Sequence, residues 1–299
     1  MAPNPPNPHP GGPAAVHGAR VVHEVHYRVG LPALGHFPGH HRSRRGDNGF
    51  EFRGHAPLQD APDPRRLDLH ASLRDPFGGW VVRLHSQRQA VPVTVVADLS
   101  ASMGFAGAHR KLDVLADFTA SLAYSAWRTG DSFGFVGCDA AVRPELLLPQ
   151  TRSRGAGLAL ADAVRVLRPT GRSAAALAVA QRHLSRQRSL VFLVSDYHLP
   201  LAEVAGVLAS LAHHDVVPVV LWEPLEFALP AANGLAHLVD PETGRRRLVW
   251  WRPALREPWR AAHRQRREAL LALFRAHRLT PLFIENGFDA DSVTRHFHA

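Results

Sequence analysis

Hydrophobic and polar residues alternate in long blocks from residue 91 onward. Residues 91–99, VPVTVVADL, form an almost continuous apolar run that ends beside an aspartate, a pattern typical of a strand buried on both faces of a parallel sheet. Apolar residues then recur at helical spacing over residues 110–127. Later apolar runs repeat this strand and helix alternation. The pattern predicts an α/β fold with a doubly wound, mostly parallel sheet and helices on both faces.

The other predicted elements of this domain follow the same periodicities. The predicted strands are 131–138, 141–148, SLVFLVSD, VVPVVLW and LTPLFIE. The predicted helices are 156–167, 173–186, 201–213, 254–277 and 289–298, the last capped by Asp289 or Asp291. A β-hairpin insertion is expected around residues 241–244.

The first 90 residues have a different character. Residues 1–20 are rich in Pro and Gly and lack the basic and apolar regions of a secretory signal, so they predict a disordered tail. Residues 21–28 alternate as a strand does, 35–70 predict loops with short strands near 50–53, and 78–86 predict a strand. We therefore expect a tail at 1–20, an N-terminal segment at 21–90 packed on the main domain, and a main domain at 91–299.

The composition is typical of a globular protein without a membrane-spanning segment. Of the 299 residues, 45% are hydrophobic, enough for a sizeable core, yet no apolar run approaches the roughly 18 residues that span a membrane. The single cysteine, Cys138, forms no internal disulfide and is expected to be a buried small hydrophobe. These features favour a cytoplasmic location.

The formal net charge of +9 is carried almost entirely by arginine. Such a charge attracts nucleic acid, anionic lipid or an acidic protein. No aromatic residues are interleaved with the basic ones as in base-stacking surfaces, so nucleic-acid binding is kept only as an alternative. The 20 histidines lack metal-ligand spacing and are expected to be solvated or packed.

Polar side chains collect where the predicted strands end. Asp98, Ser100 and Ser102 follow the first strand, Asp196 follows the VFLV strand, and Ser173 lies in a further loop. Ligands bind at the carboxyl ends of strands in open α/β sheets. Carboxylates and hydroxyls are hard oxygen donors, which favours Mg²⁺, with Ca²⁺ or Mn²⁺ as alternatives. A structural alternative for Asp98 and Ser173 is helix N-capping.

A hydrolase is a second interpretation of the same segment. The turn Ser100-Ala-Ser102-Met-Gly104 loosely matches a nucleophile elbow. Its first glycine is missing, Asp98 has no role in such a site, and no histidine other than His298 is a candidate partner.

The Asp-x-Ser-x-Ser turn resembles the metal-ion-dependent adhesion site (MIDAS) of von Willebrand A domains. That resemblance implies a hydroxyl ligand from a second loop and an aspartate from a third. Asp196 matches the aspartate, and Ser173 stands where the family usually has Thr, with Thr170 as a fallback.

Other segments are similar to the bacterial MoxR-associated von Willebrand A family, over roughly residues 36–297. They are Phe52-Arg53, residues 63–68, residues 72–74 and the DPETG hairpin at 240–244, with Leu69 where Trp is usual. The resemblance implies a non-enzymatic, metal-dependent assembly factor. Its implied partners are a MoxR-type AAA+ ATPase and a client such as methanol dehydrogenase. An internal ion-pair network is the structural alternative for Arg53, Arg65, Arg66 and Asp68.

Overall fold

A computed structural model describes residues 22–28, 38–227, 234–240, 242 and 244–298. The predicted tail at 1–20 lies outside these residues. The strands are β1 Pro38–Pro57, β2 Val81–Gln89, β3 Pro92–Asp98, β4 Ser132–Cys138, β5 Val142–Thr151, β6 Leu190–Ser195, β7 Asp215–Leu221, β8 Gly234–Val239, β9 Arg246–Trp251 and β10 Leu282–Ile284. The α-helices are α1 Leu69–Leu73, α2 Lys111–Arg128, α3 Arg154–Val166, α4 Leu201–Ser210, α5 Pro224–Phe227, α6 Arg256–Ala276 and α7 Ala290–His296.

A six-stranded sheet in the order β10-β7-β6-β3-β4-β5 forms the centre of the molecule. All of its strands run parallel except β5, which pairs antiparallel with β4 at one edge. Every residue of β3 and β6 is buried, as their continuous apolar runs predict. The predicted doubly wound, mostly parallel α/β fold is confirmed.

Helices cover both faces of this sheet. On one face α2, α3 and α7 pack through residues that include Leu115, Phe118 and Val293. On the other face α4 and α6 pack through residues that include Leu208 and Phe274. The chain winds away from β3 in both directions, so β3 and β6 are the neighbours at which the strand order switches. That position is where α/β sheets open a crevice at the carboxyl ends of their strands.

One predicted helix has a different form. Residues 173–186 were expected to be α-helical, but the structure has a 3₁₀ helix at Ala175–His183. The backbone N–H of Ala176 donates to Asp139 O at 3.1 Å, so this amide is used in a tertiary contact. The predicted hairpin is present as β8 and β9, and the carboxylate of Asp289 caps α7. Cys138 is buried as expected.

In the N-terminal segment the structure differs from two predictions. Residues 35–70 were expected to be loop-rich, yet β1 is a long strand that pairs antiparallel with β2. Several register shifts along this pair accommodate its polar, glycine-containing sequence. The predicted strand at 21–28 is also wrong: residues 22–28 form no regular element. The N–H of Val25 donates to Ser125 Oγ at 2.8 Å, and the N–H of His26 donates to Thr294 Oγ1 at 3.1 Å, so side chains replace a neighbouring strand.

Asp68 organises the N-terminal segment. Its carboxylate accepts from Arg83 Nε at 2.6 Å, from the Ala71 N–H at 3.1 Å, and lies 3.0 Å from His55 Nε2. The hydrogen bond from Arg83 and those from His55 and Ala71 hold the pKa of Asp68 well below its usual range. For Asp68, the internal ion pair is therefore the arrangement observed. Among the described helices, none has the length and apolar character needed to cross a bilayer.

Asp131 ties residues 22–28 to the main domain. Its buried carboxylate accepts from the Val91 N–H at 2.8 Å and from the Tyr27 hydroxyl at 2.6 Å. We expect Asp131→Ala to lower the free energy of unfolding by about 3 kcal/mol, because it leaves buried donors without an acceptor. Urea unfolding measures this loss. The control is the exposed Asp60→Ala, and equal stability of the two variants would contradict the structural role.

Candidate functional site

Two carboxylates meet at the switch point of the sheet. Asp98 is the last residue of β3, and Asp196 follows β6 directly. Because β3 and β6 are parallel neighbours, both side chains lie at the same edge. Each residue is only 1% exposed. Carboxylates buried so fully in one place require compensating positive charge or hydrogen bonds.

The turn after β3 is built around Asp98. Asp98 Oδ1 accepts from the Ser100 N–H at 2.9 Å, and Ser195 Oγ donates to Asp98 Oδ2 at 2.7 Å. The hydroxyls of Ser100 and Ser102 lie 3.2 Å apart, and both residues are buried. Ser100, not Asp98, is the N-cap residue of the 3₁₀ turn at Ala101–Gly104. The N-capping alternative therefore does not describe Asp98.

Lys111 places a buried positive charge beside Asp196. Its ammonium donates to Asp196 Oδ2 at 2.9 Å and to Glu226 Oε1 at 2.8 Å, and its side chain is 2% exposed. Lys111 is also the only lysine in a chain with 35 Lys and Arg residues. The one compact ammonium in the protein thus lies in the carboxylate cluster.

His198 and Glu226 extend the cluster towards solvent. His198 Nε2 lies 3.0 Å from Glu226 Oε1, and the His198 N–H donates to Asp196 Oδ1 at 3.3 Å. One ligand atom from each of Asp196, His198 and Glu226 fits within 4.8 Å of the others, a grouping able to hold a metal ion. Lys111 Nζ already bonds to two of these three residues. A cation in that grouping would therefore compete with the ammonium.

The loop that carries Asp196 is held from several sides. The next residue, Tyr197, adopts the left-handed conformation with φ of 55°, which costs energy for a side chain of this size. Its hydroxyl donates to Leu193 O at 2.7 Å. The indole N–H of Trp222 donates to Asp196 O at 2.8 Å, and Arg266 donates to Tyr197 O. A strained conformation fixed by so many contacts indicates a loop whose position matters.

The second loop approaches the first through Gly171. The Ala101 N–H donates to Gly171 O at 2.7 Å, and a Cβ at Gly171 would lie 2.5 Å from Asp139 Cβ. Ser173 lies two residues further on, half-buried, and its hydroxyl accepts from the Ala175 N–H at 3.1 Å. Thr170 is exposed. The structure thus brings together Asp98, Ser100, Ser102 and Asp196. The hydroxyl of Ser173 bonds within its own loop, and its role as a ligand stays a prediction.

A carboxylate from the β8–β9 hairpin also reaches the cluster. Ser102 Oγ donates to Glu242 Oε1 at 3.5 Å, although the two residues are 140 positions apart. Glu242 is half-buried. Burial and the nearby charges of Asp196 and Asp240 raise the pKa of Glu242. Glu242 therefore forms part of the site's wall.

The electrostatics of the two central aspartates differ. Burial, followed by the charge of Asp196, raises the pKa of Asp98 to about 6. Burial alone would raise the pKa of Asp196 as well, but the positive charges of Lys111 and His198 outweigh it and lower that pKa. Burial lowers the pKa of His198, but its hydrogen bond to Glu226 and the charge of Asp196 give a net increase. Of the two aspartates, Asp98 is thus the one whose negative charge is less well balanced by nearby positive charge.

The donor set fits a hard divalent cation. The carboxylates of Asp98 and Asp196 and the two serine hydroxyls are the oxygen ligands that Mg²⁺, Ca²⁺ and Mn²⁺ prefer. The ammonium of Lys111 pairs with Asp196 and Glu226, and Asp98 adds a third carboxylate, so the cluster is negative when all are ionised, even with His198 protonated. Glu226 Oε2 is buried and has no hydrogen-bond partner among the described residues. A divalent ion would supply the missing positive charge.

Lys111, His198, Glu226 and Glu242 were not predicted as site residues. Their sequence positions carry no ligand-like spacing, since they converge only through the fold. The available signal was compositional: a single lysine, close after the Asp-x-Ser-x-Ser turn, in a chain that otherwise uses arginine. Glu242 lay within the hairpin segment that carried the family resemblance, but without an assigned role.

This chain is similar to known proteins in sequence and in structure. Over 101 residues, 34% of this chain, it is 39% identical to an "Uncharacterized protein in moxR 3'region" of Paracoccus denitrificans, 96% of which is covered. The solved structure of BatB from Bacteroides thetaiotaomicron has a TM-score of 0.45 and 14% identity, with 70% of this chain and 96% of that chain covered.

A mussel byssus protein, proximal thread matrix protein 1 with a zinc-occupied MIDAS motif, has a TM-score of 0.34 and 16% identity, with 44% of this chain and 38% of that chain covered. The family described as "Protein of unknown function DUF58" matches residues 59–269, which is more than half of the sequence. This chain belongs to the DUF58 family.

Proposed function

We propose that this protein is a metal-dependent interaction module that assembles with a partner protein through a divalent cation. The observation that carries the proposal is the pair of buried aspartates, Asp98 and Asp196, which lie beside the hydroxyls of Ser100 and Ser102 at the switch point of the sheet. Mg²⁺ is the favoured ion, with Ca²⁺ or Mn²⁺ as alternatives, because the donors are all hard oxygens.

Asp98, Ser100, Ser102 and Asp196 would hold the ion, with Ser173 as a further candidate from the second loop. A bound cation would supply a Lewis-acidic point at which a partner's carboxylate binds. Two aspartates balance the charge of a divalent ion, and with the neutral hydroxyls they leave some of its coordination positions open. The contacts of Trp222 and Arg266 keep the Asp196 loop in place for this purpose.

The partner in this proposal is a MoxR-type AAA+ ATPase. The relative from Paracoccus denitrificans is named for its position in the moxR 3' region, which supports the association. Within the MoxR-associated proteins, the residues Ser72–Gly78 resemble MxaS of methanol oxidation, so the proposed client is methanol dehydrogenase.

We further propose a role without catalysis. The hydroxyls of Ser100 and Ser102 bond to each other, and that of Ser102 also donates to Glu242. In the described part of the chain, neither hydroxyl has a histidine as hydrogen-bond partner. A serine nucleophile needs an adjacent general base. Labelling of Ser100 or Ser102 by a fluorophosphonate would contradict this and favour the hydrolase.

The proposed function is tested with immobilised protein and a purified MoxR-type ATPase. We expect retention of the ATPase in Mg²⁺ and its release by chelator. Asp98→Ala should abolish retention, whereas Asp291→Ala, a change of an exposed aspartate at the start of α7, should not. Retention that is equal with and without chelator would contradict the metal-bridged interaction.

A further inference from the structure

The turn between β8 and β9 directs one acidic side chain at the metal site. Asp240 Oδ1 accepts from the Glu242 N–H at 3.0 Å, and the Gly244 N–H donates to Asp240 O at 2.8 Å. Gly244 has a φ of 68°, which favours glycine. This local geometry fixes the backbone that carries Glu242. The Glu242 carboxylate then lies 3.5 Å from the Ser102 hydroxyl, one of the proposed ligands.

We propose that Glu242 is an intramolecular carboxylate ligand of the cation, occupying the coordination position that a partner's acidic group takes on binding. This inference rests on the proposed metal site. It gives the hairpin a defined role, because Glu242 connects the insertion to the cation. Metal binding and the position of the hairpin are then coupled.

The charges around Glu242 support a ligand over a structural contact. The negative charges of Asp196 and Asp240 act on the Glu242 carboxylate, and the positive charge of His198 offsets them only in part. Such an arrangement is unfavourable in the absence of a cation, because like charges at short range repel. A divalent ion between Glu242 and Asp196 would replace the repulsion of the two carboxylates by the attraction of each to the cation.

The chemistry of the position also matches a partner's carboxylate. Asp98, Asp196 and the two serines supply fewer oxygen ligands than a hard divalent ion takes, so a coordination position remains for a further carboxylate oxygen. A glutamate on a hairpin has the same ligand atoms as an acidic residue of a partner. Glu242 and that residue therefore compete for one position, and displacement of Glu242 accompanies binding.

The test uses the full chain and the metal ion alone as probe. Mn²⁺ binding is followed by electron paramagnetic resonance, and hydrogen exchange is measured in the hairpin, residues 234–251. In the unmodified protein we expect Mn²⁺ to bind and to slow exchange in the hairpin. Glu242→Gln should weaken Mn²⁺ binding about 10- to 100-fold, a range seen even for groups that only support ligands. It should also remove the metal-dependent protection of the hairpin.

Two further variants complete the design. Glu242→Asp keeps the charge with a shorter reach and should recover part of the affinity. The exposed Glu268→Gln on α6 is the matched control and should bind Mn²⁺ as the unmodified protein does. Equal affinity and equal hairpin protection in Glu242→Gln would overturn the inference while leaving the metal site intact. No Mn²⁺ binding by the unmodified protein would overturn the metal site and the inference together.

Discussion

Replacing Lys111 with Met is expected to destabilise the metal-free protein by about 3–5 kcal/mol, the cost of breaking a buried ion pair from one side. The ammonium bonds to Asp196 and Glu226, and both Lys111 and Asp196 are almost fully buried. Met fills nearly the same volume, so packing changes little. The loss of stability therefore measures the effect of removing the positive charge that pairs with Asp196 and Glu226. Urea unfolding in the presence of chelator measures it.

Mg²⁺ should restore much of this lost stability. In the Lys111→Met variant the cation would meet three carboxylates, those of Asp98, Asp196 and Glu226, without a competing ammonium. We expect a larger Mg²⁺-induced rise in Tm in this variant than in the unmodified protein, because at a given Mg²⁺ concentration the stabilisation increases as the Kd falls. A variant that is less stable without metal but responds more strongly to Mg²⁺ indicates a metal site. An ion pair with only a structural role would give the loss of stability without the larger response to Mg²⁺.

The double variant Lys111→Met/Asp196→Asn provides the control. Removal of the partner charge should recover part of the stability lost in the single variant, while Mg²⁺ should no longer raise the Tm. Because Lys111 and Asp196 are in direct contact, their effects should not be additive. A single variant as stable as the unmodified protein, with no response to Mg²⁺, would contradict the role assigned to Lys111.

The parts of the fold that the sequence predicts best are those with uniform local patterns. β3 and β6 are buried on both faces, so their apolar runs contain no competing periodicity. Most residues of α2 are buried, including Leu115, Phe118 and Leu122, which recur at helical spacing. Asp98 and Asp196 were predicted to lie together because they end parallel strands, and parallel strands present their carboxyl ends at one edge.

Long-range pairing accounts for what the sequence did not predict. β1 is held by its ladder with β2, and its composition alone indicates a loop. Val25 and Tyr27 alternate like strand residues, but the backbone of this segment bonds to side chains of the main domain. The contact between Glu242 and Ser102 joins residues that are 140 positions apart in the sequence. Such contacts depend on tertiary geometry, which neither periodicity nor local spacing records.

Replacing Asp98 with Asn should abolish the response to Mg²⁺ and, at the same time, leave the metal-free protein at least as stable as before. Asn retains an oxygen to accept the Ser100 N–H, while it removes a charge that faces Asp196 in a buried site. For the unmodified protein, Mg²⁺ at 100 times its Kd should add about 2.7 kcal/mol. Thermal unfolding with and without Mg²⁺ measures both effects, with Asp291→Asn as the matched exposed control.

The pH dependence follows from the raised pKa of Asp98, about 6. Because this pKa lies above that of an aspartate in the unfolded chain, the contribution of Asp98 to stability is fully present at low pH and is lost as pH rises through about 6. The advantage of Asp98→Asn over the metal-free unmodified protein should therefore grow as the pH rises from the pKa of an unfolded aspartate towards about 6, and be complete above it. Mg²⁺ binding needs the ionised carboxylate, so it should weaken below it. An Asp98→Asn variant that is less stable at neutral pH, yet still stabilised by Mg²⁺, would mean that Asp98 is a structural hydrogen-bonding residue and that the cation binds elsewhere.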